Sequence, residues 1–267
     1  MQDGITASDQ STFPLIRLEN ISKRFGAIQS LKEVNFTLAP GEVVGLVGDN
    51  GAGKSTLSKI ISGAVIPDEG QIFVQGEQVH FGSPADARAR RIEMVYQDLS
   101  LCNTIDVAGN LFLGRERRNH FLSIPYLDQA RMHRDAATML GDLGIRVPNT
   151  RLKVEHLSGG QRQSIAIGRA AAFDPLILIM DEPTAALAVS EVDAVLALIK
   201  RVSARGVGVI LITHRLQDLF IVCDRIVVMY EGRKVAERQI GETNIEEIVN
   251  LIVGRSYKAI STGKNHP

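Results

Sequence analysis

Apolar and polar residues alternate near the start of the chain and form continuous apolar runs further on. Alternation over residues 15–21 predicts an edge strand, and its return over 34–38 predicts a second antiparallel strand. Residues 72–74, turning at Gly76 into Val79, predict a hairpin. The unbroken apolar runs predict strands buried on both faces, as in a parallel sheet, and cover 43–47, 176–180 and 209–212. Further strands are predicted at 93–97, 225–230 and 233–236.

Helical periodicity appears after residue 99 and predicts a mainly helical subdomain over about 99–156. Its candidate helices cover 105–113 and 128–143, with a polar loop at 115–119 between them. A further helix is predicted over 158–172. The helices therefore divide into an inserted group and others that flank the predicted sheet.

Capping residues mark where several helices begin. Ser83 before Pro84 predicts one start, and Ser190 is predicted to cap a helix that ends near Gly206. Thr243 and Glu246 predict a capping box for the last helix. The pattern as a whole predicts an α/β chain with one domain over 14–256, and flexible tails at 1–13 and 257–267.

A glycine-rich segment follows the first buried strand and precedes a helix. It fits the pattern G-x-x-x-x-G-K-[ST] and consists of Gly48, Asp49, Asn50, Gly51, Ala52, Gly53, Lys54, Ser55 and Thr56. Glycines let such a backbone turn tightly with its N–H groups aimed at an anion. Lys54 would reach the β- and γ-phosphates of a nucleotide, and the Ser55 hydroxyl would ligate Mg²⁺. The alternative is an ordinary glycine turn before a helix.

Composition limits the remaining possibilities. The chain has 267 residues with 45% hydrophobic content, enough for a full core. Lys and Arg number 30 against 30 Asp and Glu, so no basic field favours nucleic acid. Cys102 and Cys223 lack metal-ligand spacing and are expected to be reduced thiols. The apolar runs are shorter than a membrane span and the N-terminus lacks the pattern of a signal peptide, so we expect a cytoplasmic protein.

Other polar groups follow predicted strands or begin helices. Asp181 and Glu182 end a buried strand, where one carboxylate suits Mg²⁺ and the other suits an attacking water; a solvated pair before a turn is the alternative. His214 and Gln97 also follow strands. The imidazole could contact a γ-phosphate and the amide could contact Mg²⁺ and its water, with an ordinary structural role as the alternative for each. A second anion-binding helix start consists of Ser158, Gly159, Gly160 and Gln161, with a simple serine cap as its alternative.

These motifs, in this order over about residues 15–254, resemble the ATP-binding subunits of ATP-binding-cassette (ABC) transporters. The resemblance implies a P-loop NTPase core with an N-terminal antiparallel β subdomain and an inserted α-helical subdomain. It matches the phosphate loop to 48–56, the Q-loop to Gln97, the LSGGQ signature to 157–161, the Walker B strand to 177–181, the catalytic carboxylate to Glu182 and the switch histidine to His214. ATP and Mg²⁺ are the implied ligands. Phe25 would stack on adenine, unless it is a core residue.

Within that family, segments around Asn50, Gln97, Asn110 and Pro183 look most like bacterial importers of simple sugars such as ribose, xylose and fructose. Two features depart from the pattern. Ala188 stands where many members have Asp, which leaves signalling across a dimer through that loop in doubt. Ribose-type relatives often fuse two cassettes, whereas this chain has one, which implies a homodimer or a paired ATP-binding subunit.

The resemblance further implies partners and a location. The signature of one subunit would reach ATP on the other, and a groove near Gln97 and residues 99–118 would contact a membrane permease. The protein would lie at the cytoplasmic side of the membrane and cooperate indirectly with an external sugar-binding protein. No nucleic acid is expected. The sequence does not name the sugar, because the solute contacts the permease and the binding protein.

Two alternatives remain at the level of sequence. The first is a soluble ABC-type ATPase that acts on ribosomes or DNA, although tandem cassettes, long inserts and zinc-binding cysteines are missing from the sequence. The second is a non-catalytic regulatory subunit, against which the presence of Glu182 and His214 argues.

Overall fold

The computed structural model describes residues 13–121 and 124–254. Except for Phe13, the predicted tails lie outside the described residues. The strands are β1 (Ile16–Phe25), β2 (Ile28–Leu38), β3 (Val43–Gly48), β4 (Glu69–Val74), β5 (Glu77–Val79), β6 (Ile92–Val95), β7 (Arg118–Phe121), β8 (Ile124–Leu127), β9 (Ile177–Asp181), β10 (Gly208–Ile212), β11 (Arg225–Tyr230) and β12 (Arg233–Gln239). The helices are α1 (Lys54–Ile61), α2 (Pro84–Ala89), α3 (Val107–Leu111), α4 (Gln129–Asp142), α5 (Gly159–Ala171), α6 (Val189–Ser203), α7 (Leu216–Val222) and α8 (Ile245–Ile252).

A six-stranded sheet in the order β12-β11-β3-β10-β9-β6 forms the centre of the molecule. All neighbouring strands except the β11–β12 pair are parallel. The apolar runs alternate between two cores, as the two-residue period of a strand requires. Ile179 and Ile210 belong to the core shared with α1 and the N-terminal strands, whereas Leu178 and Leu211 face the core built by the helices on the other side. The predicted parallel sheet is confirmed.

A four-stranded antiparallel sheet, β2-β1-β4-β5, covers one side of the central sheet. The prediction that the first strand is an edge strand is wrong, since β1 pairs with both β2 and β4. The burial pattern of β1 explains the error, since Leu18 and Ile21 are buried while Glu19 and Arg24 are not. Such alternation also occurs in an inner strand that has one face exposed to solvent.

The segment between β6 and α5 holds α3 and α4, but also a hairpin that was not predicted. Residues 115–119 were expected to form a loop, whereas β7 begins at Arg118 and pairs antiparallel with β8, with Arg118 opposite Leu127. Asp106 caps α3 by accepting a hydrogen bond from Gly109 N at 2.7 Å, so this helix begins later than the predicted residue 105. Asp128 caps α4 in the same way.

Two predicted helix caps are wrong. Ala188, not Ser190, is the N-cap of α6, and Ser190 lies inside the first turn. For α8 the N-cap is Asn244, whose side chain accepts from Glu247 N at 2.9 Å, one residue beyond the predicted Thr243. At α8 the polar residues Thr243 and Asn244 are both suitable caps, whereas α6 begins at an alanine that has no capping side chain, so residue type alone does not locate the start of α6.

Within residues 13–121 and 124–254, no helix is both long and apolar enough to cross a membrane. Cys102 and Cys223 are free thiols, as predicted. Burial raises the pKa of the Cys223 thiol far above its ordinary value, with the charge of Asp224 adding to the effect. Cys223 is therefore an unreactive core residue.

The sheet core supplies a prediction about stability. Ile179 is fully buried in β9, so Ile179→Ala should lower the free energy of unfolding by about 2–5 kcal/mol through lost burial and a cavity. Ile28 in β2 is 72% exposed, and Ile28→Ala should change the free energy by less than about 1 kcal/mol. Urea unfolding followed by circular dichroism makes the comparison. Equal shifts for the two variants would contradict the placement of β9.

Candidate active site

The central sheet brings the predicted site residues to one edge. The adjacent strands β3, β10, β9 and β6 run parallel, and their carboxyl ends meet where ligands bind in open α/β sheets. The glycine-rich loop follows β3, His214 follows β10, Glu182 follows β9 and Gln97 follows β6. Register fixes their alignment, since Ile212 pairs with both Leu46 and Asp181.

The glycines of the loop are required by its backbone and its neighbours. Gly51 and Gly53 have φ of 79° and 102°, in the left-handed region that side chains disfavour. A Cβ at Gly48 would lie 2.3 Å from Met229 O, and one at Gly53 would lie 2.7 Å from Ser30 O. The loop therefore keeps a conformation that only glycine permits, wrapped around a cavity of about 150 Å³.

Lys54 folds back over this loop. Its ammonium group donates to the carbonyls of Gly48 at 2.7 Å and Asp49 at 3.0 Å. Behind it, the hydroxyls of Ser30 and Thr56 lie 2.7 Å apart and attach β2 to the start of α1. Burial is the main cause that lowers the pKa of Lys54, opposed by the charges of Glu182, Asp49 and Asp181. Lys54 is thus held among carboxylates at the mouth of the loop.

Asp181 and Glu182 share a partly desolvated corner. The pKa of Asp181 is raised, first by burial and then by the neighbouring charge of Glu182, while Lys54 opposes the shift. An ionised Asp181 is therefore costly. A cation near this carboxylate would remove that cost, which is the environment expected of a metal ligand.

Glu182 is held in an uncommon conformation. Its φ is 52°, rare for a residue with a side chain, and its N–H donates to Ile212 O at 2.8 Å, which fixes it against β10. His214 Nδ1 donates to one carboxylate oxygen, Oε1, at 2.9 Å. The other oxygen, Oε2, is buried and has no hydrogen-bond partner among the described residues. An acceptor kept unpaired at such a place is suited to hold a water or a substrate proton.

His214 and Gln97 differ from Glu182 in exposure. The His214 side chain is 75% exposed although one ring nitrogen is paired with Glu182. Gln97 is exposed and lies two residues beyond the end of β6. Both lie at the predicted edge, and their roles toward a γ-phosphate and a metal stay predictions.

Phe25 lies at the end of β1, in the hairpin that leads to Ser30. The residue is 49% exposed, and Lys23 Nζ lies 5.5 Å from the ring centroid. Such exposure excludes the alternative of a core phenylalanine. Stacking on a base stays a prediction.

The second predicted anion site is the start of α5. Ser158 and Gln161 form a reciprocal capping box: the serine hydroxyl accepts from Gln161 N at 3.2 Å, and Gln161 Oε1 accepts from Ser158 N at 3.0 Å. The Ser158 hydroxyl and Gly160 N–H also donate to Glu191 of α6, at 2.9 and 3.0 Å. The helix start is thus shaped to donate to an anionic oxygen.

The two glycine-rich elements border different cavities. The phosphate loop surrounds the cavity of about 150 Å³, whereas Ser158 and Gly160 border one of about 410 Å³ beside α6. Helix α5 packs on α3, α4, α6 and β6, whereas α1 packs on β2 and β3. The described residues of one chain therefore present two separate donor sets.

Three supporting residues were not predicted from the sequence. Thr184 donates to buried Asp218 at 2.6 Å, which ties the loop after Glu182 to α7, just after His214. Glu191 contacts the start of α5. No local signal indicates either contact, because an alanine at the N-cap supplies no side-chain acceptor for a capping box, and Thr184 and Asp218 belong to separate segments.

Among residues 13–121 and 124–254, no group of three or more His, Cys, Asp or Glu side chains could hold a metal ion. A metal here would therefore need oxygens from a bound ligand and water, in addition to Asp181 and the Ser55 hydroxyl.

Comparison with known proteins gives a consistent result. A family model described as ABC transporter matches residues 31–185. A xylose/arabinose import ATP-binding protein of Sulfolobus acidocaldarius is 42% identical over 250 residues, covering 94% of this chain and 98% of that protein. A fructose import ATP-binding protein of Rhizobium meliloti is 42% identical over 245 residues, covering 90% and 94%. A ribose import ATP-binding protein of Burkholderia cenocepacia is 39% identical over 245 residues, covering 92% of this chain but 48% of that protein.

Solved structures show the same architecture. The ADP conformation of an ATP-binding cassette of an ABC transporter superposes with a TM-score of 0.76 at 26% identity, covering 95% of this chain and all of that one. A dimeric post-hydrolysis cassette bound to ADP and Pi gives a TM-score of 0.70 at 27% identity, covering 84% and 98%. The resemblance drawn from the motifs, and the predicted fold, are confirmed. The chain belongs to the ABC transporter family, as an ATP-binding cassette of that family.

Proposed function

We propose that this chain binds and hydrolyses ATP and thereby powers the uptake of a sugar through a membrane permease. The observation that carries the proposal is Glu182, with one oxygen held by His214 and the other unpaired, beside Lys54 and the glycine-rich loop. The relatives named for xylose/arabinose and fructose import support the class of solute.

The phosphates of ATP would lie in the loop 48–56, where backbone N–H groups and Lys54 supply donors and positive charge. Ser55 and Asp181 would hold Mg²⁺, which neutralises phosphate charge when bound. The raised pKa of Asp181 fits that role, because burial makes its negative charge costly and a bound cation would offset that cost. Phe25 would stack on the adenine.

Hydrolysis needs a positioned water. Glu182 Oε2 would accept a hydrogen bond from that water and take its proton as the oxygen attacks phosphorus. His214 would hold the Glu182 carboxylate through Nδ1 and contact the γ-phosphate through its exposed side. Gln97 would contact the metal and the attacking water. The reaction breaks the bond between the γ-phosphorus and its bridging oxygen and releases ADP and phosphate.

The signature residues 158–161 would meet ATP bound to a second chain. Their separation from the phosphate loop within one chain supports this, as does the dimeric ADP- and Pi-bound cassette among similar structures. ATP would be buried between the two chains, and loss of the γ-phosphate would remove the charge that both chains bind. A homodimer requires no additional subunit, although a paired ATP-binding subunit would present the same surfaces.

A groove beside Gln97 is the proposed contact with the permease. It encloses about 290 Å³, and its walls include Tyr96, Leu113, Arg115 and Arg169. Arg169 of the signature helix α5 donates to Ser100 O at 2.8 Å, so the helix that begins at the signature forms part of the groove wall. This location would keep the chain at the cytoplasmic face of the membrane, with an external sugar-binding protein as an indirect partner.

The soluble ATPase acting on ribosomes or DNA is less well supported. The relatives of similar length are import proteins, and the sequence carries equal numbers of acidic and basic residues. Co-purification with a permease from detergent extracts would separate the two functions. The hydrogen bond between His214 and Glu182 argues against a non-catalytic subunit.

Lys54→Ala should lower ATP hydrolysis at least about hundredfold, since a fixed donor to a transferring phosphate is lost. Phosphate release from the purified protein measures the effect. Lys59→Ala is the matched control, because this exposed lysine lies on the same helix, and it should retain activity within about twofold. Equal activity of the two variants would refute the role of Lys54.

Glu182→Gln should trap an ATP-bound dimer, because it keeps the shape of the side chain but cannot accept the proton from water. Size-exclusion chromatography with ATP should show a dimer, and without ATP a monomer. The double variant Lys54→Ala/Glu182→Gln should stay monomeric in ATP, since it lacks the phosphate contact. A Glu182→Gln protein that is monomeric at saturating ATP would count against the proposal.

Asp181→Asn should stabilise the nucleotide-free protein while abolishing its stabilisation by ATP with Mg²⁺. A folded-state pKa above the ordinary value means that ionised Asp181 destabilises the fold at neutral pH, a penalty that disappears at acidic pH. The neutral amide of asparagine removes this penalty, so the thermal unfolding temperature without ligand should rise by about 1–3 °C. A lower unfolding temperature without ligand would contradict this account of Asp181.

A further inference from the structure

Glu191 occupies the donor set that the proposed mechanism reserves for a phosphate. Its Oε1 accepts from the Ser158 hydroxyl at 2.9 Å and from Gly160 N–H at 3.0 Å. Its Oε2 accepts from Ala188 N–H at 3.2 Å, at the start of its own helix. One carboxylate therefore joins the signature to the loop that follows the Walker B strand.

The contact is close as well as polar. A Cβ on Gly160 would lie 2.7 Å from the Cβ, Cγ and Cδ of Glu191, so the glutamate side chain lies directly on the glycine backbone. The N–H of Gly160 has one hydrogen and points at Glu191 Oε1. The same N–H cannot donate well to a second anion in that position.

The side chain of Glu191 is a carboxylate at neutral pH. Its pKa is lowered by the hydrogen bond from Gly160 N–H, then by those from Ser158 and Ala188. Among the first-turn residues of α6 it is the acidic one, where the helix dipole also favours negative charge. It thus resembles a phosphate oxygen in charge and in acceptor geometry.

From these contacts we propose that Glu191 is an internal competitor for the γ-phosphate, which must leave Ser158 and Gly160 before two chains can close on ATP. This inference rests on the proposed two-chain site. After hydrolysis and phosphate release, Glu191 returns to the same donors, so the helix start is not left with unpaired groups. The residue would thereby weaken the ATP-bound dimer and help it to separate.

A cavity beside the signature could accept the displaced Glu191 side chain. The cavity of about 410 Å³ beside Ser158 and Glu191 is also lined by Arg146 and Arg201. A carboxylate that leaves Ser158 and Gly160 would turn toward this cavity. Displacement therefore costs the two contacts at the signature.

The test uses full-length Glu182→Gln protein, in which the ATP-bound dimer does not turn over. Sedimentation at a series of protein concentrations in saturating ATP gives the dimer dissociation constant for Glu182→Gln alone and with Glu191→Gln or Glu191→Ala added. Asp193→Asn is the matched control, because it removes the same charge from an exposed position of the same helix.

Glu191→Gln and Glu191→Ala should each lower the dimer dissociation constant by roughly tenfold, the effect expected when a competing charged hydrogen bond is removed. Asp193→Asn should leave it within about twofold. An unchanged or higher constant in the Glu191 variants, with the thermal unfolding temperature preserved, would show that Glu191 only holds the shape of the signature, and would overturn the inference. If Glu182→Gln itself forms no dimer in ATP, the two-chain site fails first and the inference fails with it.

Discussion

The parallel hydrogen-bond register of β3, β10 and β9 is the constraint on which the rest of the site depends. Because Ile212 pairs with Leu46 on one side and Asp181 on the other, the strands end at the same level. Their apolar side chains bury both faces of the sheet and fix that register, since a slip of one residue would exchange the two cores. The phosphate loop, the carboxylates and His214 are thereby brought to one edge of the sheet.

The site keeps several groups in costly states, and the sheet compensates for them. Glu182 has a left-handed backbone and a buried unpaired oxygen, and the pKa of Asp181 is raised by burial. Each of these lowers the stability of the protein. A water on Glu182 Oε2 and a cation beside Asp181 would relieve the last two in the proposed complex. Binding of nucleotide should therefore stabilise the fold as well as start the reaction.

Sequence predicted the elements whose signals are local. The buried strands were visible as apolar runs. The phosphate loop was visible from its glycine spacing, because the left-handed backbone at Gly51 and Gly53 favours glycine. The hairpin β7–β8 was missed because its strands are only four residues long and β8 contains Pro125, a residue that argues against a strand. The inner position of β1 depends on β4, about fifty residues away. The contacts of Glu191 with Gly160, and of Asp218 with Thr184, join distant elements and have no local signal.

The central claim is that one chain supplies the phosphate loop and another supplies the signature for the same ATP. The most direct test mixes two inactive variants, Lys54→Ala and Ser158→Arg, and measures ATP hydrolysis. Half of the dimers would pair unlike chains, and one of their two sites would combine an intact Lys54 with an intact Ser158, so about a quarter of the wild-type sites should be restored. Activity of the mixture equal to the sum of the separate variants would contradict a site shared between two chains.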